Sequence, residues 1–214
     1  MTAAPHDRTL PVVETFHSLQ GEGVHSGRSA FFIRLAGCRV GCPWCDTKHS
    51  WPQEQHPQLP LQALVDQACQ AAAAGAGFVV ITGGEPLHHN LADICNGLTA
   101  AELPLHLETS GVDPLSGRFD WITLSPKPHA PPLPQLLEQC DELKVVVHGP
   151  SDLAYAESMA TAACAGRAPG RAAPVLLLQP GWNSPEGQSL ALAHVQANPR
   201  WRLSLQSHKL LGVR

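Results

Sequence analysis

The chain has 214 residues, 43% of them hydrophobic and 15% charged, with a formal net charge of -4, enough for one sizeable core and a single domain over residues 1–214. It carries no basic stripe of the kind that polyanionic nucleic acid requires, so the expected partner is a small molecule and not nucleic acid. The first eight residues lack the apolar segment of a secretion signal and no uncharged apolar run is long enough to cross a bilayer, so a cytoplasmic protein with no membrane partner is expected.

Seven short β-branched or aromatic runs, at 31–35, 78–82, 105–109, 121–124, 143–148, 175–179 and 201–206, read as buried strands. Between several of them lie helix-like segments, at 61–74, 91–101, 151–165 and 186–197. Alternating strands and helices predict a parallel sheet with helical crossovers. A complete eight-unit barrel takes about 250 residues. The expected architecture is therefore α/β, an incomplete parallel (β/α) barrel of about six core strands. Stretches rich in Pro, Ala and Gly at 129–134 and 165–174 read as loops, and the Pro/Gln-rich segment 51–60 stands in place of a regular crossover.

Directly after the first predicted strand, Cys38, Cys42 and Cys45 place three thiols within eight residues. A 4Fe-4S cube takes a ligand on each iron, usually four cysteines. A loop that supplies three leaves one iron for another ligand, which points to catalysis rather than electron storage. Gly37 and Gly41 free the backbone to wrap such a group, while Pro43 and Trp44 shape and shield it. Two other readings stand beside this one: Cys3His zinc with His49, four residues after Cys45, and cysteines with no ligand. Seven cysteines in all is an odd count, and the clustered three suit a reducing compartment better than a disulfide framework. Cys69, Cys95, Cys140 and Cys164 are scattered and read as ordinary half-buried thiols.

Polar blocks recur at the carboxyl ends of the predicted strands: Thr82-Gly-Gly-Glu-Pro86, Glu108-Thr-Ser-Gly111, Ser125-Pro-Lys127, His148, Gln179-Pro180 and Gln206-Ser-His-Lys209. That rim is where parallel α/β folds build active sites, so folding is expected to gather these blocks with the cysteine loop. Glycines 83 and 84 let backbone groups approach a ligand closely, and Glu85 adds an anion suited to the ammonium of an amino acid. The same block also reads as a plain strand-to-helix turn. Arg34 offers a rigid donor fork for a carboxylate, or a structural ion pair. Thr47 reads equally as a loop or helix-cap residue, Ser-Pro-Lys as an ordinary turn, and Gln20 as a surface turn residue. His88, His89 and His148 carry no ligand-like spacing and read as surface or packing residues.

The cysteine triplet and the Gly-Gly-Glu block together resemble the radical S-adenosylmethionine superfamily. The resemblance implies Cys38, Cys42 and Cys45 as ligands of a 4Fe-4S cluster whose open iron is chelated by the methionyl amine and carboxylate. It also implies Gly84 and Glu85 holding S-adenosylmethionine, with Trp44, Cys45 and Asp46 on the cofactor side and Trp44 near the adenine. Ser18-Leu-Gln-Gly-Glu-Gly23, Arg34, Cys45-Asp-Thr47 and the strand-end blocks, in this order, resemble more narrowly the 7-carboxy-7-deazaguanine synthase family of the queuosine precursor pathway. That likeness runs from about residue 12 to the terminus.

The narrower resemblance implies a lyase in which a 5'-deoxyadenosyl radical takes hydrogen from C6 of 6-carboxy-5,6,7,8-tetrahydropterin, the ring contracts and ammonia leaves. Leu19, Gln20, Gly21, Arg34 and Thr82 would contact substrate, and Thr47 would bind Mg2+, an ion that prefers oxygen ligands. Ser125, Pro126 and Lys127 would lie near the cofactor ribose and carboxylate, and Gln179 near adenine or its ribose. Glu108 and His208 would face the pocket or make purely structural hydrogen bonds. The terminal carboxylate, here on Arg214, would reach the substrate. A flavodoxin- or ferredoxin-type electron donor and a homodimer are also implied. Two departures stand out: Val112 follows the Glu-Thr-Ser-Gly block where Thr is frequent, and the chain ends in Arg214 where some members end in Pro. The alternatives are another radical S-adenosylmethionine enzyme, such as a glycyl-radical activase, and a non-enzymatic zinc or iron-sulfur module.

Overall fold

A computed structural model describes residues 8–100 and 102–214. The chain divides into two compact units, one of Met1–Leu19, Arg28–Thr109 and Leu115–Asp120, the other of Gln20–Gly27, Ser110–Pro114 and Trp121–Arg214.

In the first unit the sheet order is β3-β1-β2-β4-β5, with β1 at Thr9–Leu19, β2 at Ser29–Leu35, β3 at Gln58–Pro60, β4 at Val79–Gly83 and β5 at Leu105–Thr109. β2, β4 and β5 are parallel. Ala30 to Ile33 of β2 and Val79 to Ile81 of β4 are buried without interruption, the pattern of strands covered on both faces. Helix α1 (Leu61–Ala73) buries Leu64, Ala68 and Ala71, spaced four and three residues apart on one face. Helix α2 (Ala92–Ala100) buries Ile94, Cys95 and Leu98 in the same way.

Two strands here lie outside the sequence reading, and each has a reason. β1 runs antiparallel to β2, and a shift in register between Val12 and Glu14 breaks the alternation by which a strand is recognised. Its Phe16 ring stacks on Phe32 at 4.8 Å. β3 ends in a proline and pairs only with β1, as an edge strand that needs no proline donor. The segment 51–60, which stands in place of a regular crossover, is a 3-10 turn at Gln53–Gln55 followed by this edge strand.

The second unit orders its strands β6-β7-β8-β9, all parallel: Trp121–Leu124, Glu142–Val147, Val175–Pro180 and Trp201–Leu203. Helices α3 (Pro134–Gln139), α4 (Pro150–Ala165) and α5 (Pro185–Ala197) each open on a proline, whose missing N–H costs nothing in the first turn. The Ser184 hydroxyl caps α5 by accepting from the Gly187 amide at 3.1 Å. Glu157 of α4 accepts from His194 of α5 and from the Trp201 indole, tying both helices to β9. The last predicted strand, 201–206, is shorter in the structure and ends at Leu203; the Ser204 amide still donates to Leu178 O at 2.9 Å, and its hydroxyl donates to Gln179. A short helix, α6 (Ser207–Leu211), follows and ends at Gly212 in the left-handed conformation.

The seven predicted strands are thus β2, β4 and β5 of the first unit, parallel to one another, and β6 to β9 of the second, likewise parallel. Among the described residues no helix is long and apolar enough to cross a membrane. The core is sensitive to volume where it is fully enclosed. Leu107→Ala, at the centre of β5 with 0% exposure, is expected to cost about 2–5 kcal/mol in urea unfolding. Leu210→Ala, at 69% exposure, is expected to stay within about 0.5 kcal/mol of the parent.

Candidate active site

In the first unit the cysteine loop leaves β2 and is closed on itself. The Gly37 amide donates to Ser50 O at 2.7 Å and the Cys38 amide to Trp51 O at 3.2 Å. Cys42 is buried, while Cys38 and Cys45 are half-buried. The loop rests directly on the end of β4. Gly83 has φ +145°, and a Cβ there would lie 2.1 Å from Leu35 O; one on Gly84 would lie 2.4 Å from Gly37 O. The amides of Gly84 and Glu85 donate to Leu35 O and Gly37 O, both at 2.9 Å. Two main chains meet here with no room for a side chain.

Glu85 is 1% exposed. Its Oε1 accepts from the Leu87 amide at 3.1 Å, capping a 3-10 turn over Pro86–His88, and from Thr109 Oγ1 at 2.5 Å. Burial pushes the Cys38 thiol up; the carboxylate of Glu85 and the thiol of Cys45 add to this, against hydrogen bonds from the Val40 and Gly41 amides. A ligand that needs a thiolate must displace that proton on binding. Thr47 heads the 3-10 turn Lys48–Ser50, but its hydroxyl makes no cap; it lies 3.5 Å from Cys45 Sγ. Trp44 is 41% exposed, and Asp46 is exposed as well.

Arg34 on β2 donates through Nε to Glu14 of β1 at 3.0 Å, so the ion pair and the guanidinium fork coexist on one side chain. Thr82 Oγ1 donates to Glu108 Oε2 at 3.0 Å, joining the ends of β4 and β5. Leu19, at the end of β1, is exposed.

The second unit holds the other predicted residues. The His208 ring lies over Gly21 so closely that a Cβ on Gly21 would be 2.1 Å from Nδ1. Ser207 adds two hydrogen bonds to Gly21 O, from its amide and its hydroxyl, both at 2.9 Å. Gln20 is buried and accepts from the Glu22 amide at 3.1 Å. Glu22 itself is gripped by Lys144 Nζ and by Gln206 Nε2, the latter at 2.9 Å. Gln179, 4% exposed, takes the Ser204 hydroxyl on Oε1 at 2.8 Å and hydrogen-bonds Glu22. Desolvation alone would raise the Glu22 carboxyl, but Lys144, with the hydrogen bonds from Gln206 and Gln179, holds it down at about 2. Lys127 folds back to donate to Ser125 O and Oγ at 2.9 and 2.7 Å, making Ser-Pro-Lys a closed turn. Arg214 is exposed beyond α6.

Several of these partners were not singled out from the sequence. Glu22 lies inside the Leu-Gln-Gly-Glu-Gly block, and Lys144 is the one cation in the apolar run 143–148, which is the signal that marks it. Thr109 carries no such mark. Of the scattered cysteines, Cys95 and Cys140 are buried, which pushes both thiols up to about 11, whereas Cys69 and Cys164 are exposed.

The sequence matches the Radical SAM superfamily over residues 32–147, from β2 through the cysteine loop to β7, which sets the class of protein. The 7-carboxy-7-deazaguanine synthase of Prochlorococcus marinus is 51% identical over 95% of this chain and 98% of its own. That of Synechocystis sp. is 48% identical over 96% and 94%, and that of Escherichia coli K12 33% identical over 95% and 98%. The crystal structure of QueE from Escherichia coli superposes with a TM-score of 0.81 at 30% identity, over 94% of this chain and 95% of that one. The chain belongs to the radical S-adenosylmethionine superfamily and, within it, to the 7-carboxy-7-deazaguanine synthase family. The mixed, mostly parallel α/β sheet agrees with the incomplete barrel expected from the sequence.

Membership implies a 4Fe-4S cluster and S-adenosylmethionine, and the donor set fits them. Among the described residues no three His, Cys, Asp or Glu side chains converge tightly enough to grip a single ion. A cube instead takes one thiolate on each of several irons, which spreads its ligands. The cradle that would receive it is the side-chain-free approach of Gly84 to the loop. Gly84→Ala is expected to displace Gly37 and Cys38, and to lower the iron and sulfide bound after anaerobic reconstitution at least fivefold, about 1 kcal/mol in binding. Full occupancy in that variant would show that the close approach is dispensable.

Glu22 supplies a second expectation. Its carboxyl is depressed from the usual 4.5 to about 2, so its stabilisation is present above pH 4.5 and is lost as pH falls toward 2. Glu22→Gln is expected to be less stable than the parent at pH 7 by up to about 3 kcal/mol. Urea unfolding across the acid range should show that gap closing, and a constant gap would mean the charge contributes nothing.

Proposed function

We propose that this chain converts 6-carboxy-5,6,7,8-tetrahydropterin to 7-carboxy-7-deazaguanine with release of ammonia; its relatives are named for that product. The observation that carries the reading is the seating of the Gly83-Gly84-Glu85 turn on the three-thiol loop, which puts a buried carboxylate beside Cys38. When bound, the cluster and S-adenosylmethionine supply the one-electron radical chemistry that no protein side chain here offers.

The residues of the chain bind and orient. Cys38, Cys42 and Cys45 would hold three irons. Gly84 and Glu85 would take the cofactor ammonium, with Glu85 fixed in advance by Thr109 and the Leu87 amide. Trp44, Asp46, Ser125 to Lys127 and Gln179 are the further cofactor residues. Arg34, its Nε already committed to Glu14, would offer the remaining edge of its fork to the substrate carboxylate. Leu19, Gln20, Gly21, Thr82, Glu108, His208 and the Arg214 carboxylate complete the substrate set. Fixing one C–H bond in reach of a reactive group is the main contribution asked of such residues. Thr47, whose hydroxyl is not spent on a cap, would bind Mg2+. The reading includes a flavodoxin- or ferredoxin-type donor, a cytoplasmic setting and a homodimer.

The test is turnover. Reduced, reconstituted protein with S-adenosylmethionine, Mg2+ and the carboxytetrahydropterin should release ammonia and the deazaguanine, followed by mass spectrometry. Cofactor cleavage without that product would assign another substrate. Cys42→Ala is expected to abolish cluster and turnover together. Thr47→Ala should keep the cluster and need at least tenfold more Mg2+ for half-maximal rate, about 1.4 kcal/mol; an unchanged Mg2+ response would remove Thr47 from the site.

A further inference from the structure

His88 and His89 follow the Gly-Gly-Glu-Pro turn, and both reach the cysteine loop in opposite roles. The Arg39 amide lies 3.1 Å from His88 Nε2. A main-chain N–H can only donate, so Nε2 accepts and the neutral ring carries its proton on Nδ1. His89 Nε2 lies 2.7 Å from Ala36 O. A carbonyl can only accept, so this Nε2 donates. The two rings thus hold the loop on either side of Gly37 and Cys38. They do so from a turn whose first residues, Pro86 and Leu87, are buried.

The hold matters because of what the next amides do. Those of Val40 and Gly41 hydrogen-bond the Cys38 sulfur. Three successive N–H groups are therefore divided, one to an imidazole and two to a cluster ligand. Hydrogen bonds to a ligating sulfur stabilise the more negative, reduced cluster and so raise its potential.

We infer that His88 is a positioning residue for the cluster: by taking the Arg39 amide it fixes the turn that aims the Val40 and Gly41 amides at Cys38 Sγ, and this raises the reduction potential. It acts through the backbone, by way of the Arg39 amide. The inference rests on the assignment of Cys38 as a cluster ligand.

The experiment is a dithionite titration of the reconstituted holoenzyme, followed by electron paramagnetic resonance, with iron and sulfide counted on the same samples. His88→Leu removes the acceptor, and His88→Gln returns one at about the reach of Nε2. The Leu variant is expected to favour the oxidised cluster by about tenfold, a shift of 59 mV to more negative potential for one electron. The Gln variant is expected to titrate with the parent. A Leu variant with a full cluster and the parental midpoint overturns the inference. If the Leu variant holds no cluster, His88→Gln is compared with His88→Asn, whose acceptor is too short to reach. A shift in Asn alone supports the inference, and parental midpoints in both overturn it. A parent protein that binds no iron and sulfide would instead overturn the cluster assignment itself.

Discussion

Two backbones meet without side chains where β4 ends, and the candidate site grows from that contact. Gly83 and Gly84 lie so near the Leu35 and Gly37 carbonyls that either Cβ would fall inside 2.5 Å of an oxygen. The approach is enforced by hydrogen bonds from the Gly84 and Glu85 amides to those same carbonyls. Once it is made, the direction of the chain after Glu85 is set. The carboxylate turns inward to Thr109, and the two histidines that follow arrive at the flanks of Cys38. A loop of three cysteines is floppy in isolation, since each fixed residue costs about 1–2 kcal/mol of backbone entropy. Here that cost is offset by closure at Ser50 and Trp51 and by the seat on β4.

The second unit solves a different problem with charge. Lys144 lies in β7, among Leu143 and Val145 to Val147, and is nearly enclosed. A lone buried ammonium would be costly, and even a buried pair is weak evidence for stability, because desolvation consumes much of the attraction. What the pair with Glu22 does is geometric. Gln206, Gln179 and Ser204 complete the donors and acceptors around it, so the segment Gln20–Gly27 has one low-energy position on β7 and the chain beyond β9. Glu142 adds a further tie by accepting from the Val24 amide at 2.8 Å. Gln20, Gly21 and His208, all named as substrate residues, are held by this network or lie against it.

Much of this was legible in the sequence. Each of the seven predicted runs overlaps a strand, most plainly in β2 and β4, because strands buried on both faces leave a nearly continuous hydrophobic record. The cysteine triplet and the Gly-Gly-Glu block were legible for a related reason: each is a dense local pattern whose chemistry needs those residue types at that spacing. β1 and β3 escaped because a register shift and an edge proline erase the periodic signal. His88 and His89 escaped because their partners are main-chain groups some fifty residues away, and a main-chain partner has no residue type to recognise.

By itself, then, the sequence determined the class of fold, the three-cysteine loop and the family, since each of these is written in local composition or in short blocks. Tertiary structure alone decided which side chains hold these segments in place within each unit. It paired Arg34 with Glu14, Thr82 with Glu108 and Glu22 with Lys144, and it laid His208 over Gly21. Such pairings join residues from 20 to more than 180 positions apart. They are selected by shape and by the need of every buried polar group for a partner, and that demand exists only once the chain has folded.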